Sequence, residues 1–489
     1  MTLADQQTRS LLLGFGAITV LSLLVGIVCD LYWLAGLPAV LLFAYVTVVD
    51  FRKIFYLLFF FIPLTVEVWL PNGTVTDMPT EFMTVLLMGV YFVYTLRNGQ
   101  TLSADFIKHP ITLALLAHLG WFFVTSITSQ NHIISLKYSL AKTWYVTTFF
   151  FLAGHILKGE KDLRLLTWVV LAPLVVTIFY VLRKHAAIGF GFAEIHTVVQ
   201  PFYRNKVAYA CMLTIFLPFV WFTRQMYRTW TWQWTLLAGA TLLLLIGIEF
   251  SYTRAAYGML VGAVGAYYVV KWRLMKFALA GASLLGVLYI VDMVHHNNYL
   301  DHKPTYEKTI THEEFGDLLS ATTKGQDVST MERVYRWVAG GNMIAERPVL
   351  GFGPGTFTHF YKTYTLHGFR TYVSDNPEGS GIHCYYLMTT VEQGYFGGLL
   401  FVVLVFTVLL AGERIYHQTT DPNRQRLVMM VLMTTVIIDG LLLMNDLVET
   451  DKIGSFFFLC MAVLVNVDNS NKLAVRQLAV GSQELGSSQ

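Results

Sequence analysis

Arg254 is the fourth residue of the stretch "SYTRAAYGMLVG" at 251–262, at the seam between two apolar runs of membrane length, with Glu249 five residues before it. An arginine there is an interfacial anchor, a partner for that glutamate, or a grip on something anionic. The third role suits a guanidinium, which binds phosphate oxygens in bidentate fashion and does not titrate. Two further cations, Arg204 and Lys206, occupy "PFYRNKVAYA", and Arg333 lies in "STMERVYRWVAGGNMIAERP". His383 stands at the first turn of a later apolar run, with Tyr385 and Tyr386 beside it and Asp375 and Glu378 shortly before. A histidine in that place is either structural or a proton acceptor, since an unperturbed pKa of about 6.5 lets it serve at neutral pH. The two tyrosines suit an interfacial aromatic belt, with stacking on a sugar as the other use.

The elements that must position these groups are membrane helices. The chain has 489 residues, 55% hydrophobic and only 13% charged, with a mean hydropathy of +0.54. Soluble globular proteins carry roughly 25% charged residues. The net charge of +3 says little about partners, and the four cysteines lie far apart with no metal or redox spacing. A spanning helix needs about 20 apolar residues. Runs of that kind sit near 11–29, 31–49, 54–70, 81–96, 110–129, 139–157, 163–182, 205–223, 233–250, 254–271, 274–293, 383–411, 427–445 and 452–467. The short ones, 81–96 and 452–467, read as spans or re-entrant segments. The expected fold is an all-α polytopic membrane protein of about 12–14 transmembrane helices. Its divisions are an N-terminal bundle over 1–293, a large hydrophilic loop over 294–382, C-terminal helices over 383–467 and a tail over 468–489.

Basic loops stay cytoplasmic. With the N-terminus inside, every inner connection is basic, from Arg52-Lys53 through Lys271-Arg273 to Lys472 and Arg476. Outer loops such as "PNGTVTDMPTE" and "NDLVETD" are acidic or neutral. The exceptions are Arg183-Lys184, Arg204 and Lys206, Arg254 and the long loop, all on the outer face. That face has no ATP, so chemistry there runs on energy already in its substrate. Within the loop, Ser329 with Glu332 three residues on reads as a capping box. Val334, Trp337, Val338 and Ile344 read as the apolar stripe of a helix lying on the membrane or over the bundle, with Gly340-Gly341 as a bend. "GFGPGTF" at 351–357 is no nucleotide loop, and reads as a tight turn or as backbone N–H groups aimed at a phosphate. Asp439 is an intramembrane acid that needs a partner, a neutral form or a function.

Three segments resemble the O-antigen ligase and O-antigen polymerase superfamily of bacterial envelope glycosyltransferases. "SYTRAAYGMLVG" is similar to its Ser/Thr-Arg-(Gly/Ala)-Ala segment; "ERVYRWVAGGNMIAERPVLGFGPGTF" to its Arg-x-x-x-Trp helix and glycine-rich turn; "GIHCYYLMTTVEQGYFGGLLF" to its His-Asn stretch with Glu-x-Gly-x-x-Gly, although Cys384 replaces the asparagine. The resemblance covers roughly residues 200–400. It implies a GT-C-like enzyme of the bacterial inner membrane, active on the periplasmic side with both termini cytoplasmic. It also implies a glycan donor on undecaprenyl diphosphate, a lipid A core or glycan acceptor, and no cofactor, nucleotide sugar, metal or nucleic acid. Carried over residue by residue, His383 is the general base, and Arg254 and, less directly, Arg204 hold the diphosphate. Lys206 and Arg333 join them as candidate contacts, and Tyr385 and Tyr386 as candidate sugar contacts. Ligase, polymerase and, outside enzymes, a lipid-linked glycan flippase remain the competing functions.

Overall fold

The structure, a computed structural model, describes residues 3–69, 75–99, 102–295, 297–302, 327–371, 373–376 and 379–486. Residues 303–326 of the long loop, which include most of its polar opening, lie outside the described residues, as does Glu378. The long helices are α1 (Leu3–Val28), α2 (Leu37–Val49), α3 (Phe51–Phe61), α4 (Thr80–Asn98), α5 (Pro110–Ile127), α6 (His132–Val146), α7 (Glu160–Ala186) and α8 (Lys206–Gln225). They continue with α9 (Trp232–Glu249), α10 (Arg254–Lys271), α11 (Met275–His295), α12 (Val328–Glu346), α13 (Tyr385–Gln418), α14 (Pro422–Leu441) and α15 (Asp451–Gly486). One antiparallel hairpin, β1 (Val66–Trp69) and β2 (Val75–Met78), pairs Val66 with Met78 and Trp69 with Val75. Its strands of four residues are too short to stand out against the apolar helices around them.

Polar caps start the spans. Asn205 accepts from Ala208 N ahead of α8, Thr231 from Trp234 N ahead of α9, and Asp421 from Arg424 N ahead of α14, where Pro422 fills the first helical position. Among the described residues seven helices are long and apolar enough to cross a membrane: α5, α7, α8, α9, α11, α13 and α15 as far as Gln477. The runs at 31–49 and 54–70 become two helical arms, Leu34–Val49 and Phe51–Leu64, with a 120° bend between them, which makes an eighth if counted as one broken span. α4, α10 and α14 have the length but not the composition of this set. The run at 452–467 is no re-entrant segment, since it lies inside the 36-residue α15. Burial orders the bundle. The apolar windows of α15 and α8 are 83% and 72% buried, so these two are central, while α11 at 0% is a rim helix apolar on all sides.

The loop between α11 and α13 folds into a lobe with its own core of Tyr335, Ala339, Met343, Phe352, Phe357, Tyr361, Phe369, Ile382 and Val391. α12 starts differently from the capping-box expectation. Asp327 is its N-cap and accepts from Thr330 N at 3.0 Å. The buried face is also rotated: Met331, Tyr335, Ala339 and Met343 are buried, whereas Val334, Trp337 and Val338 are half-buried and, of the expected stripe, Ile344 is buried. The cause is a pair of charges turned inward. Glu332 and Arg336 face each other at 3.5 Å, and Glu332 also accepts from the hydroxyls of Thr371 and Ser374. α12 runs unbroken through Gly340-Gly341, because Gly340 is a packing position where a Cβ would lie 2.7 Å from Ile382.

The glycine turn joins lobe to bundle. α13 breaks at Gly394, at φ 71° and ψ 179°. Gly351, Gly353 and Gly355 take φ of 65°, 104° and 76°, a region open to glycine. Phe352 N donates to Val391 O and Gly353 N to Glu392 O. Phe357 N donates to the Glu392 carboxylate at 3.1 Å. The turn therefore spends its N–H groups on the broken helix, which supports the tight-turn reading over the phosphate one.

Candidate functional site

The cations singled out in the sequence converge at the end of the bundle that carries the lobe. Arg254 is the first residue of α10, and its Nη2 donates to Asp327 Oδ2 at 3.0 Å. The seam arginine thus holds the cap of the lobe helix, while Glu249 stands exposed at the end of α9. Lys206 is the first residue of α8, within reach of the charges of both Arg254 and Asp327, with its ammonium 3.9 Å over the Phe192 ring. Exposed Arg204 stands just ahead, and its charge bears on Asp446.

Position along a helix separates these cations from the other outer exceptions. Arg183 and Lys184 occupy the last turn of α7, where a cation complements the negative end of the helix dipole; Lys184 Nζ also donates to Gln200 O at 3.2 Å. Lys206 and Arg254 open their helices instead, where the dipole adds to their charge. Each such placement forgoes about 0.3–1 kcal/mol that an acidic residue there would gain. Positive charge stacked on two positive helix ends is a poor way to stabilise a fold and a good way to hold an anion.

α12 brings the second set. Arg333 is partly covered, and its Nη1 donates to Ser329 Oγ at 3.4 Å while Nε has no acceptor among the described residues. Burial, then the charges of Arg254 and Arg336, push its pKa below the usual guanidinium value. Three residues on, Arg336 Nη1 donates to Gly381 O at 2.9 Å and Trp337 Nε1 to Ile382 O at 3.1 Å. These two bonds clamp the carbonyls just before His383, which is held at φ 58°. A left-handed histidine is uncommon and marks a turn whose surroundings over-determine it.

The His383 imidazole has no hydrogen-bond partner among the described residues. Three other covered histidines have one: His109 meets Asp468 at 3.0 Å, His185 meets Gly191 O at 2.8 Å and His417 meets Val270 O at 2.8 Å, whereas His118, inside the bundle, shares the lack. Burial, then the charges of Arg333 and Arg336, push the His383 pKa down to about 3. At neutral pH it is an uncharged ring with a free lone pair. Asp327 shows the opposite balance. Burial pushes its carboxyl up, but the Thr330 and Arg254 hydrogen bonds outweigh that and leave the pKa below the usual carboxylate value.

The tyrosines go elsewhere. Tyr385 is 3% exposed and points into the bundle, where its hydroxyl donates to Glu449 at 2.7 Å beside the Lys142–Glu449 ion pair at 2.6 Å. Half-buried Tyr386 donates to Asp439 O at 3.3 Å. Neither hydroxyl is free for a sugar in this conformation. No partner for the Asp439 carboxylate exists among the described residues, since both of its oxygens are buried without a hydrogen bond.

Three residues of the site are not singled out by the sequence. Asp327 lies two positions before the serine read as the cap; Arg336 stands four residues after Glu332, a helix-pair spacing that is legible; Asp446 is one of three acids in the outer loop "NDLVETD". No curated protein matches the chain. Residues 239–402, which include Arg254, Arg333 and His383, match the family model described as O-antigen ligase, so that segment is similar to the O-antigen ligase/polymerase superfamily.

Proposed function

We propose that this membrane glycosyltransferase acts on the periplasmic face of the inner membrane and moves a glycan from undecaprenyl diphosphate to a hydroxyl of the lipid A core, as an O-antigen ligase. The observation that carries the reading is the pair of cations, Lys206 and Arg254, set against the dipoles of their own helices beside the lobe that carries His383. The acceptor oxygen attacks the anomeric carbon as the bond from that carbon to the phosphate oxygen breaks. The bonding pair leaves with the diphosphate, whose charge Arg254, Lys206, Arg204 and Arg333 stabilise, and the hydroxyl proton passes to His383. Fixed cations aimed at developing charge are commonly the largest catalytic term, and a base whose pKa lies near 3 adds less than the about 10²–10⁴-fold of a matched one. The donor carries its own leaving group, so the step draws on no nucleotide.

Purified protein in detergent, given lipid-linked glycan and lipid A core, is expected to join them. Detergent has no second compartment, so a flippase gives no product there. Deleting the gene separates the two enzyme readings on a lipopolysaccharide gel. Loss of all long chains, with lipid-linked polymer accumulating, supports the ligase; a single repeat left on the core means a polymerase.

A further inference from the structure

Asp446, in the turn between α14 and α15, has a carboxylate that the fold leaves unused. Its Oδ2 would lie 1.8 Å from a Cβ on Gly381, so the carboxylate packs against bare backbone two residues before His383. Asp446 is half-buried, and among the described residues its one hydrogen bond is from its own backbone N–H. Charged and titratable groups face it from every side: Arg336 and Arg333 on α12, Arg204 ahead of α8, Glu449 ahead of α15, Cys384 and Glu392 around α13, and Tyr138 on α6. Burial pushes its pKa up while Arg336 and Arg204 pull it back. The guanidinium groups thus favour its charge without taking its lone pairs. Beside it, Asn445 is 4% exposed and its Nδ2 has no acceptor among the described residues.

A carboxylate repels a diphosphate and accepts hydroxyl donors at both oxygens. The site therefore divides. Lys206 and Arg254 suit the anionic end of the donor, and the side of the His383 turn that faces Asp446 suits a neutral, hydroxyl-rich ligand. We propose that Asp446 is a specificity-determining contact of the acceptor, taking hydrogen bonds from ring hydroxyls of the sugar that receives the glycan. This rests on the glycosyl-transfer reading.

The test uses the full chain in nanodiscs with undecaprenyl-diphosphate glycan as donor and lipid A core as acceptor, each varied in turn. Asp446→Ala is expected to raise the acceptor KM by about tenfold or more, with the isosteric Asp446→Asn in between, as follows from losing a hydrogen bond to a charged group. The donor KM, unchanged in both variants, serves as the folding control. An unchanged acceptor KM, a donor KM that moves instead, or a fall in kcat alone overturns the proposal. Should wild-type protein transfer nothing, the functional reading fails, and direct binding of lipid A core, read by tryptophan fluorescence, decides this inference separately. Weaker binding by Asp446→Asn supports it; equal binding, or none by wild type, overturns it.

Discussion

At the scale of single residues, the site is built from charges placed where the fold gains least from them. Arg254 opens α10 and meets the buried Asp327, itself the cap of α12. One ion pair thus links the proposed donor grip to the helix that holds the His383 turn. Replacing Arg254 with glutamine is expected to lower donor kcat/KM by about 10²–10³-fold, the usual loss for a cation or donor aimed at developing charge. Asp327→Asn is more discriminating, because asparagine caps a helix as well as aspartate does but cannot pair with a guanidinium. Arg254 then loses the Asp327 carboxylate as a competitor for the substrate. The donor KM is expected to fall severalfold, with little change in thermal stability; a rise would mean that Asp327 orients the arginine rather than competing for it. His383 makes stability fall on acidification. Its folded pKa of about 3 lies below the ordinary histidine value of about 6.5, so the unfolded chain binds the proton first as the medium acidifies. Stability is unaffected above about pH 6.5 and declines from there towards pH 3. Donor kcat/KM, which reports the free enzyme, is expected to stay flat from pH 7 to pH 5 where an unshifted histidine would lose activity. A midpoint near 6.5 in that profile sinks the assignment of a desolvated, arginine-flanked imidazole.

At the scale of elements, the glycine turn and the break in α13 form one joint. A Cβ on Gly353 would lie 2.0 Å from Ser129 Oγ, and one on Gly394 would lie 2.0 Å from Val349 O, both at positive φ. Gly353→Ala or Gly394→Ala is expected to cost about 1–3 kcal/mol from backbone strain, and more from the clash, read as a lower melting temperature in detergent. Equal loss in the two variants would mark them as parts of one contact. The membrane helices, the long loop, its amphipathic helix and the cation at the seam were all legible in the sequence, because apolar length and charge placement are local signals. The face that α12 buries was not. Periodicity scores Glu332 and Arg336 as outward residues, and only the hydroxyls of Thr371 and Ser374, some 40 positions away, make it favourable to turn that pair inward. The role of the glycine turn was equally hidden, since its acceptors on Val391 and Glu392 exist only where α13 breaks.

At the scale of the whole molecule, polar groups inside the bundle tie distant segments together. Lys142 on α6 pairs with Glu449 ahead of α15, with the Tyr385 hydroxyl bonded to both. Lys142→Met leaves Glu449 without its cation and is expected to destabilise by about 3 kcal/mol, the low end for a buried pair because Glu449 keeps a quarter of its side chain exposed. Adding Glu449→Gln should recover much of that loss, a double-mutant comparison read by thermal unfolding. The joint at Gly394 has a further consequence, for exchange between relatives. Val391 on α13 belongs to the same small core as Tyr335 and Phe352, so the hydrophilic stretch is welded to the helix that follows it. A chimera that swaps only the loop should misassemble at that weld. One that carries the stretch together with the first turns of α13 should fold, making that larger block the natural unit of exchange with proteins that match the same family model.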